Sequence, residues 1–168
     1  MQLQSLQDVF EHEIQDLYSA EQQLVEALPK MAQAASNGAL RSAFEHHLGE
    51  TQDHVKRLEE IFGHVGIAKS GETCKAMKGL IAEGEGIISA QGDPTAKDAA
   101  LIAAAQRVEH YEIAAYGSAR TYADELGLDE AQELLDQTLD EESNADKLLT
   151  KIATGGMLKA GINENAAK

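Results

Sequence analysis

Tryptophan is missing from this chain, proline occurs twice and cysteine once, in 168 residues. With Cys74 as the lone thiol, no disulfide can form within the chain, which fits a reducing compartment rather than a stapled secreted scaffold. Runs of β-branched residues are absent, and no apolar run reaches the roughly 18 residues of a membrane-spanning helix. The N-terminal "MQLQSLQDVFEHEIQ" has no basic segment followed by an apolar one, so no signal peptide is expected. Basic residues are scarce, 14 against 29 acids, for a formal net charge of −15. Such a surface repels nucleic-acid phosphates and anionic membranes and attracts cations. The sequence also lacks a glycine-rich phosphate loop, a nucleophile elbow and a Cys-x-x-Cys pair. A cytoplasmic protein with neither nucleic acid nor membrane as partner is the expectation.

What the chain has in quantity is alanine, glutamate, leucine and glutamine, all strong helix formers. Leu6, Phe10, Ile14, Leu17, Leu24, Leu28 and Met31 follow steps of three and four, broken only at Glu21. They predict a first helix from about Ser5 to Ala35. Pro29 leaves the Val25 carbonyl without its partner and predicts a kink. Ser36 to Gly38 reads as a turn, with Asn37 capping a second helix to about Gly63. A shorter helix from about Cys74 to Ala90 lies in a long connection. Asp93 and Pro94 open a third long helix to about Glu125, and Asp129 is expected to cap a fourth that ends at Gly155-Gly156. The polar tail "INENAAK" is expected to be disordered. The expected fold is all-α: two antiparallel hairpins joined by a long crossover that carries the short extra helix, a four-helix bundle with ferritin-like connectivity. One domain spans 1–168, with its core from about 5 to 155 and a flexible tail over 157–168.

Every long helix puts a carboxylate where a leucine belongs. Glu21 interrupts the first stripe. On the second, His47, Glu50 or Thr51, and His54 fall between Phe44 and Leu58. On the third, Glu109 and Glu112 fall between Ala105 and Tyr116, and on the fourth Glu142 and then Ala145 or Asp146 precede Leu149. Counted from the turns near Gly38 and Gly127, these positions lie near mid-helix, with His47 about two turns nearer the first turn than His54. Glu50 with His54, and Glu142 with Asp146, are pairs four residues apart, which places both members on one helix face. Buried carboxylates must take a proton, pair or bind a cation, because an uncompensated buried charge costs several kcal/mol. The stripes hold no Lys or Arg to pair with. Two divalent cations would balance the set, and four-helix carboxylate sites hold iron or manganese in this way. Either His47 or His54 serves as nitrogen ligand. Tyr18 and Tyr116 adjoin these positions; core packing is their first reading and a hydrogen bond to a ligand carboxylate the second. His110 points away from Glu109, and His12, His46 and His64 read as surface.

"LYSAEQQL", "HLGETQDHV", "DAALIAAAQRVEHYEIAAYG" and "TLDEE" together resemble the YciE/YciF-like stress proteins of bacteria, members of the ferritin-like superfamily akin to rubrerythrin. The resemblance runs from about Leu6 to Ala153. It implies a ferritin-like bundle, a homodimer and a dinuclear metal centre with two divalent ions, iron first and manganese as the alternative. Rubrerythrin-type sites carry Glu on the first helix, Glu-x-x-His on the second, Glu-x-x-Glu on the third and Glu-x-x-His on the fourth. Glu21, Glu50, Glu109, Glu112 and Glu142 match that pattern. The nitrogen ligands depart from it: His54 follows Glu50 by four, His47 precedes it by three, and after Glu142 the third residue is Ala145, with the acid Asp146 at the fourth. The resulting site would be richer in oxygen, which favours harder ions such as manganese. Two functions follow. One is oxidation of Fe(II) or consumption of oxygen or peroxide under stress. The other is a non-enzymatic dimerising or interaction protein with a structural metal site.

Overall fold

The computed structural model describes all residues except 1, 2, 70, 72, 157 and 158, and of Lys159 only the backbone. The protein is all-α, with one minimal two-stranded ladder near its C-terminus. Helix α1, Leu6–Ala34, opens on Ser5, whose hydroxyl accepts from Asp8 N while the Asp8 carboxylate accepts from Ser5 N. This is a capping box with aspartate as the returning acid. The helix runs through Pro29 without interruption. Asn37 caps α2, Gly38–Val65, by accepting from Ala39 N and Leu40 N, and Gly66 closes it in the left-handed conformation at φ 75°. Cys74 caps α3, Lys75–Ser89. Asp93 and Pro94 open α4, Pro94–Glu125, as the sequence predicts.

Two expectations are corrected. Helix α5, Asp129–Thr154, is capped by the backbone of Leu128 with no side-chain bond, so Asp129 is its first residue and favours the helix N-terminus by its charge. The tail is not wholly disordered. The strands Gly155–Gly156 (β1) and Lys159–Ala160 (β2) pair antiparallel, and α6, Ile162–Ala166, folds back on α4 and α5. Ile162 explains this: its side chain is buried in the core, an anchor that the polar composition of the segment hides.

Helix α1 packs on α2 and α4, and α5 packs on α4 and α2, so the four long helices close a ring. Short turns at 35–37 and 126–128 send α2 and α5 back along α1 and α4. Helix α3 covers α1 and α4 from outside. Helix α4 is therefore contacted on several sides and shows little apolar periodicity, being lined instead by alanines 104, 105, 119 and 123. The apolar interior falls into two blocks. One gathers Leu24, Leu28, Leu40, Phe44 and Leu101, the other Phe10, Ile14, Leu17, Leu58 and Leu135. A polar layer lies at the level between them.

Candidate metal centre

That layer is made of six residues from the four long helices, all buried: Glu21 from α1, His47 and His54 from α2, Glu109 and Glu112 from α4, and Glu142 from α5. Their ligand atoms form two groups. His47, Glu109, Glu112 and Glu142 supply atoms all within 4.8 Å of one another, and so do Glu21, His54 and Glu142. Glu142 belongs to both. The imidazole centroids of His47 and His54 are 6.2 Å apart.

The polar atoms here converge without pairing. Eight of them, from these six residues, are buried with no hydrogen-bond partner: Oε2 of Glu21 and of Glu109, Nε2 of His47, Nδ1 of His54, and both oxygens of Glu112 and of Glu142. His54 Nδ1 is 3.0 Å from Glu142 Oε1 and 3.3 Å from Glu21 Oε1, but it is aligned with neither. His47 Nε2 is 3.5 Å from both Glu109 Oε2 and Glu142 Oε2. Buried polar groups are almost always satisfied, so eight orphans in one layer require an explanation.

Each histidine is braced from behind. His47 Nδ1 donates to Glu50 Oε2 at 3.2 Å, and His54 Nε2 donates to Glu141 Oε2 at 2.9 Å. Arg57 grips the same Glu141 with both guanidinium arms, at 2.6 and 2.9 Å, and donates to Thr138 Oγ1 at 3.0 Å. With the outer nitrogens engaged as donors, the inner nitrogens are the ones turned to the layer, where a cation would take the place of their protons. This outer carboxylate is how metal-binding histidines are usually held. On the carboxylate side, Tyr116 donates to Glu21 Oε1 at 2.5 Å.

Proton affinities record the crowding. Burial opposes the charge on His47, but Glu109, Glu50 and Glu142 outweigh it and hold the imidazole up at about 9. For His54, burial is likewise overcome by Glu142 and Glu21, which push it up to about 11. Burial drives the Glu109 and Glu112 carboxyls well above the usual range, helped by the charge of Glu142. Glu21 is raised by burial against the pull of His54. Glu142 alone of the six is lowered: burial acts upward, but the close approach of His54 and the charge of both imidazoles prevail.

Of the eight residues that the sequence singles out, the structure brings six together and leaves Glu50 and Asp146 outside. On α2 the inward line runs through positions 47, 51, 54 and 58, and fully buried Thr51 takes the place that Glu50 was expected to share. Glu50 stands to the side, half-buried behind His47. Asp146 lies at the α4–α5 edge, where Gln106 Nε2 donates to it at 3.0 Å and His110 Nε2 is 3.4 Å away. Both histidines face the layer, where the sequence had left one or the other open. The set is thus four carboxylates and two imidazoles, less oxygen-rich than expected. Tyr18 bonds Glu59 and not a residue of the layer. Sequence reasoning missed Arg57 and Glu141. Arg57 lies one helical step beyond His54 and Glu141 adjoins Glu142, but no periodicity pairs residues across two helices.

A ring of helices around buried carboxylates and imidazoles defines an all-α protein whose core could hold a metal ion. Residues 5–167 match the family described as domain of unknown function DUF892, and the chain belongs to that family. It is 43% identical to Protein YciF of Escherichia coli (strain K12) over 165 residues, 98% of this chain and 99% of that protein. The crystal structure of the E. coli stress protein YciF aligns with a TM-score of 0.89 and 42% identity over 99% of this chain and 100% of that one. YcfI from Rhodopseudomonas palustris, provisionally described as a structural protein, aligns with a TM-score of 0.86 and 42% identity over 90% of this chain and 96% of that one. The relationship to YciF-type stress proteins read from the sequence is thereby shown. Among the described residues, no helix is long and apolar enough to cross a membrane.

Proposed function

We propose that the chain is a ferritin-like four-helix bundle holding two divalent metal ions, iron first and manganese second, and that it oxidises Fe(II) with a small oxidant in the stressed bacterial cytoplasm. The observation that carries this reading is the set of eight unpartnered donor atoms in two groups that share Glu142. Each group contains one imidazole, a ligand that suits iron, and carboxylates that suit iron and manganese alike. Glu142 would contribute to both positions, with His47, Glu109 and Glu112 holding one ion and Glu21 and His54 the other. The bound pair would supply one electron from each ion, so that two Fe(II) furnish the two electrons that, with two protons, reduce dioxygen to hydrogen peroxide, or hydrogen peroxide to two waters.

The residues around the ions have distinct tasks. Glu50 and Glu141 fix the imidazole rings, and Tyr116 fixes Glu21. Glu109 and Glu112, whose carboxyls favour the protonated form in the metal-free protein, release protons when cations bind. The apolar blocks on either side keep bulk water out. A cavity of about 40 Å³ between α1, α3 and α4, walled by Leu24, Leu28, Ile81, Ala104 and Val108, reaches His47 and Glu109. Apolar voids of this kind admit uncharged small molecules, which favours dioxygen as the oxidant.

The test is elemental analysis of protein purified without chelator, beside Glu142→Ala. About two iron or manganese ions per chain in the parent and few in the variant are expected. No stoichiometric metal in the parent would overturn the reading. The provisional structural role of YcfI favours a second reading, a dimerising, non-catalytic protein with a structural metal. Iron-loaded protein whose absorbance does not respond to dioxygen or peroxide would select it.

A further inference from the structure

The buried layer is approached from the surface between α2 and α5, and that approach has the chemistry of a cation path. A cavity of about 90 Å³ there has exposed His46 and Asn144 at its rim and buried His47 and Glu109 on its floor. His47 Nε2 and Glu109 Oε2 are both among the unpartnered atoms of the layer. Glu50 stands between the two ends. Its Oε2 is 3.3 Å from Nδ1 of His46, which is 71% exposed, and 3.2 Å from Nδ1 of His47, which is 7% exposed. One carboxylate thus touches a surface imidazole and a buried one.

Two other approaches among the described residues suit a divalent ion less well. At His54 the same pair of helices is sealed by Glu141 and the Arg57 guanidinium, whose positive charge repels cations. The cavity between α1, α3 and α4 is apolar, and its rim carries the Lys30–Glu85 ion pair. A hydrated cation gains nothing there to replace its water. The α2–α5 cavity is lined by no Lys or Arg and offers nitrogen and carboxylate donors in sequence.

We propose that the α2–α5 cavity is the route by which divalent cations reach the buried layer, with His46 and Glu50 as the first, solvent-facing ligands. The inference rests on the metal-binding reading above. A residue that serves only passage changes uptake and release by the same factor and leaves the equilibrium untouched.

The test uses the full metal-free chain and Co(II), whose visible absorption reports uptake in a stopped-flow mixer, with release followed after a chelator chase. His46→Ala removes the surface ligand, and Ala145→Leu narrows the cavity without changing any charge. Each is expected to slow both uptake and release about tenfold, the scale of electrostatic guidance, with final Co(II) stoichiometry and affinity as in the parent. Unchanged rates in both variants, with the parent binding Co(II), would overturn the route alone. Lost stoichiometry in folded His46→Ala would also overturn it, by making His46 a permanent ligand. A parent that binds no Co(II) would overturn the metal reading itself, and the route with it.

Discussion

His54 Nε2 lies 2.9 Å from Glu141 Oε2, and that contact fixes which nitrogen of the ring faces the buried layer. With the Nε2 proton committed to Glu141, Nδ1 is the nitrogen that faces Glu142 and Glu21. Removing the brace should loosen the ring without touching any proposed ligand. Glu141→Gln is expected to weaken metal binding by about 10- to 100-fold in a competition titration against a chromophoric chelator. Glu59→Gln, which removes the charge of Tyr18's partner at a position remote from the layer, is the matched control and should leave affinity unchanged. Equal affinities in parent and Glu141→Gln would mean that His54 is not a ligand.

Glu112 makes metal-free folding costly. Both its oxygens are buried without a partner, and its carboxyl is pushed well above the usual range by burial, with Glu142, Glu21 and Glu109 adding to it. Replacing buried ionic groups by well-packed apolar ones of similar volume is often neutral or stabilising by about 1–4 kcal/mol, and Glu112 has no hydrogen-bond partner that its removal would strand. Glu112→Leu should therefore raise the melting temperature of the metal-free protein, by roughly 2–4 °C for each kcal/mol at this chain length. Metal should act unequally on the two proteins. The parent gains about 2.7 kcal/mol when free metal is a hundredfold above Kd, and Glu112→Leu gains little. A metal-free variant that melts below the parent would show that Glu112 has a structural partner.

The sequence carried the long helices because their stripes and caps are local. Ser5, Asn37, Asp93 and Pro94 act within a few residues of themselves, and each does so in the structure. The inward acids were legible for a related reason: a carboxylate in an apolar stripe stands out against its own helix. What stayed hidden depends on rotation and on the neighbouring helix. Glu50 and Thr51 are one step apart, and only the packing of α2 decides which of them turns in. Asp146 satisfies the spacing from Glu142 but finds Gln106 on α4 first. The tail misled because one buried residue, Ile162, outweighs a polar composition.

Asp98 joins the two hairpins by a connection that no stripe announces. Buried on the first turns of α4, its carboxylate accepts from Ser36 N at 2.8 Å, Ser36 Oγ at 2.6 Å and Asn37 N at 2.8 Å. It therefore holds the turn between α1 and α2 against α4, one residue before the cap of α2. Asp98→Ala leaves three donors in a partly buried site and should cost on the order of 3 kcal/mol in urea unfolding, Asp98→Asn less. Metal stoichiometry should survive in folded Asp98→Asn, because this turn lies far along α1 and α2 from the buried layer.

The imidazoles predict how the metal-free protein responds to pH. His47 is held up at about 9 and His54 at about 11, above their ordinary value of 6.5. A group whose folded pKa is raised stabilises the fold fully below its unfolded pKa and loses that contribution as pH climbs through the folded value. Glu109 and Glu112, raised by burial, act in the same direction from a lower starting pH. Glu142, which is lowered, opposes them only in acid, as its carboxylate takes up a proton. The melting temperature of metal-free protein should thus fall steadily from pH 6.5 to 9 and beyond. Metal-loaded protein should behave the other way over the same window, because cations replace protons on the ligands and bind more tightly as pH rises. Thermal melts at pH 6.5, 8 and 9.5, with chelator and with Mn(II), make the comparison. Parallel curves in the two series would mean that metal and protons do not compete for these six side chains.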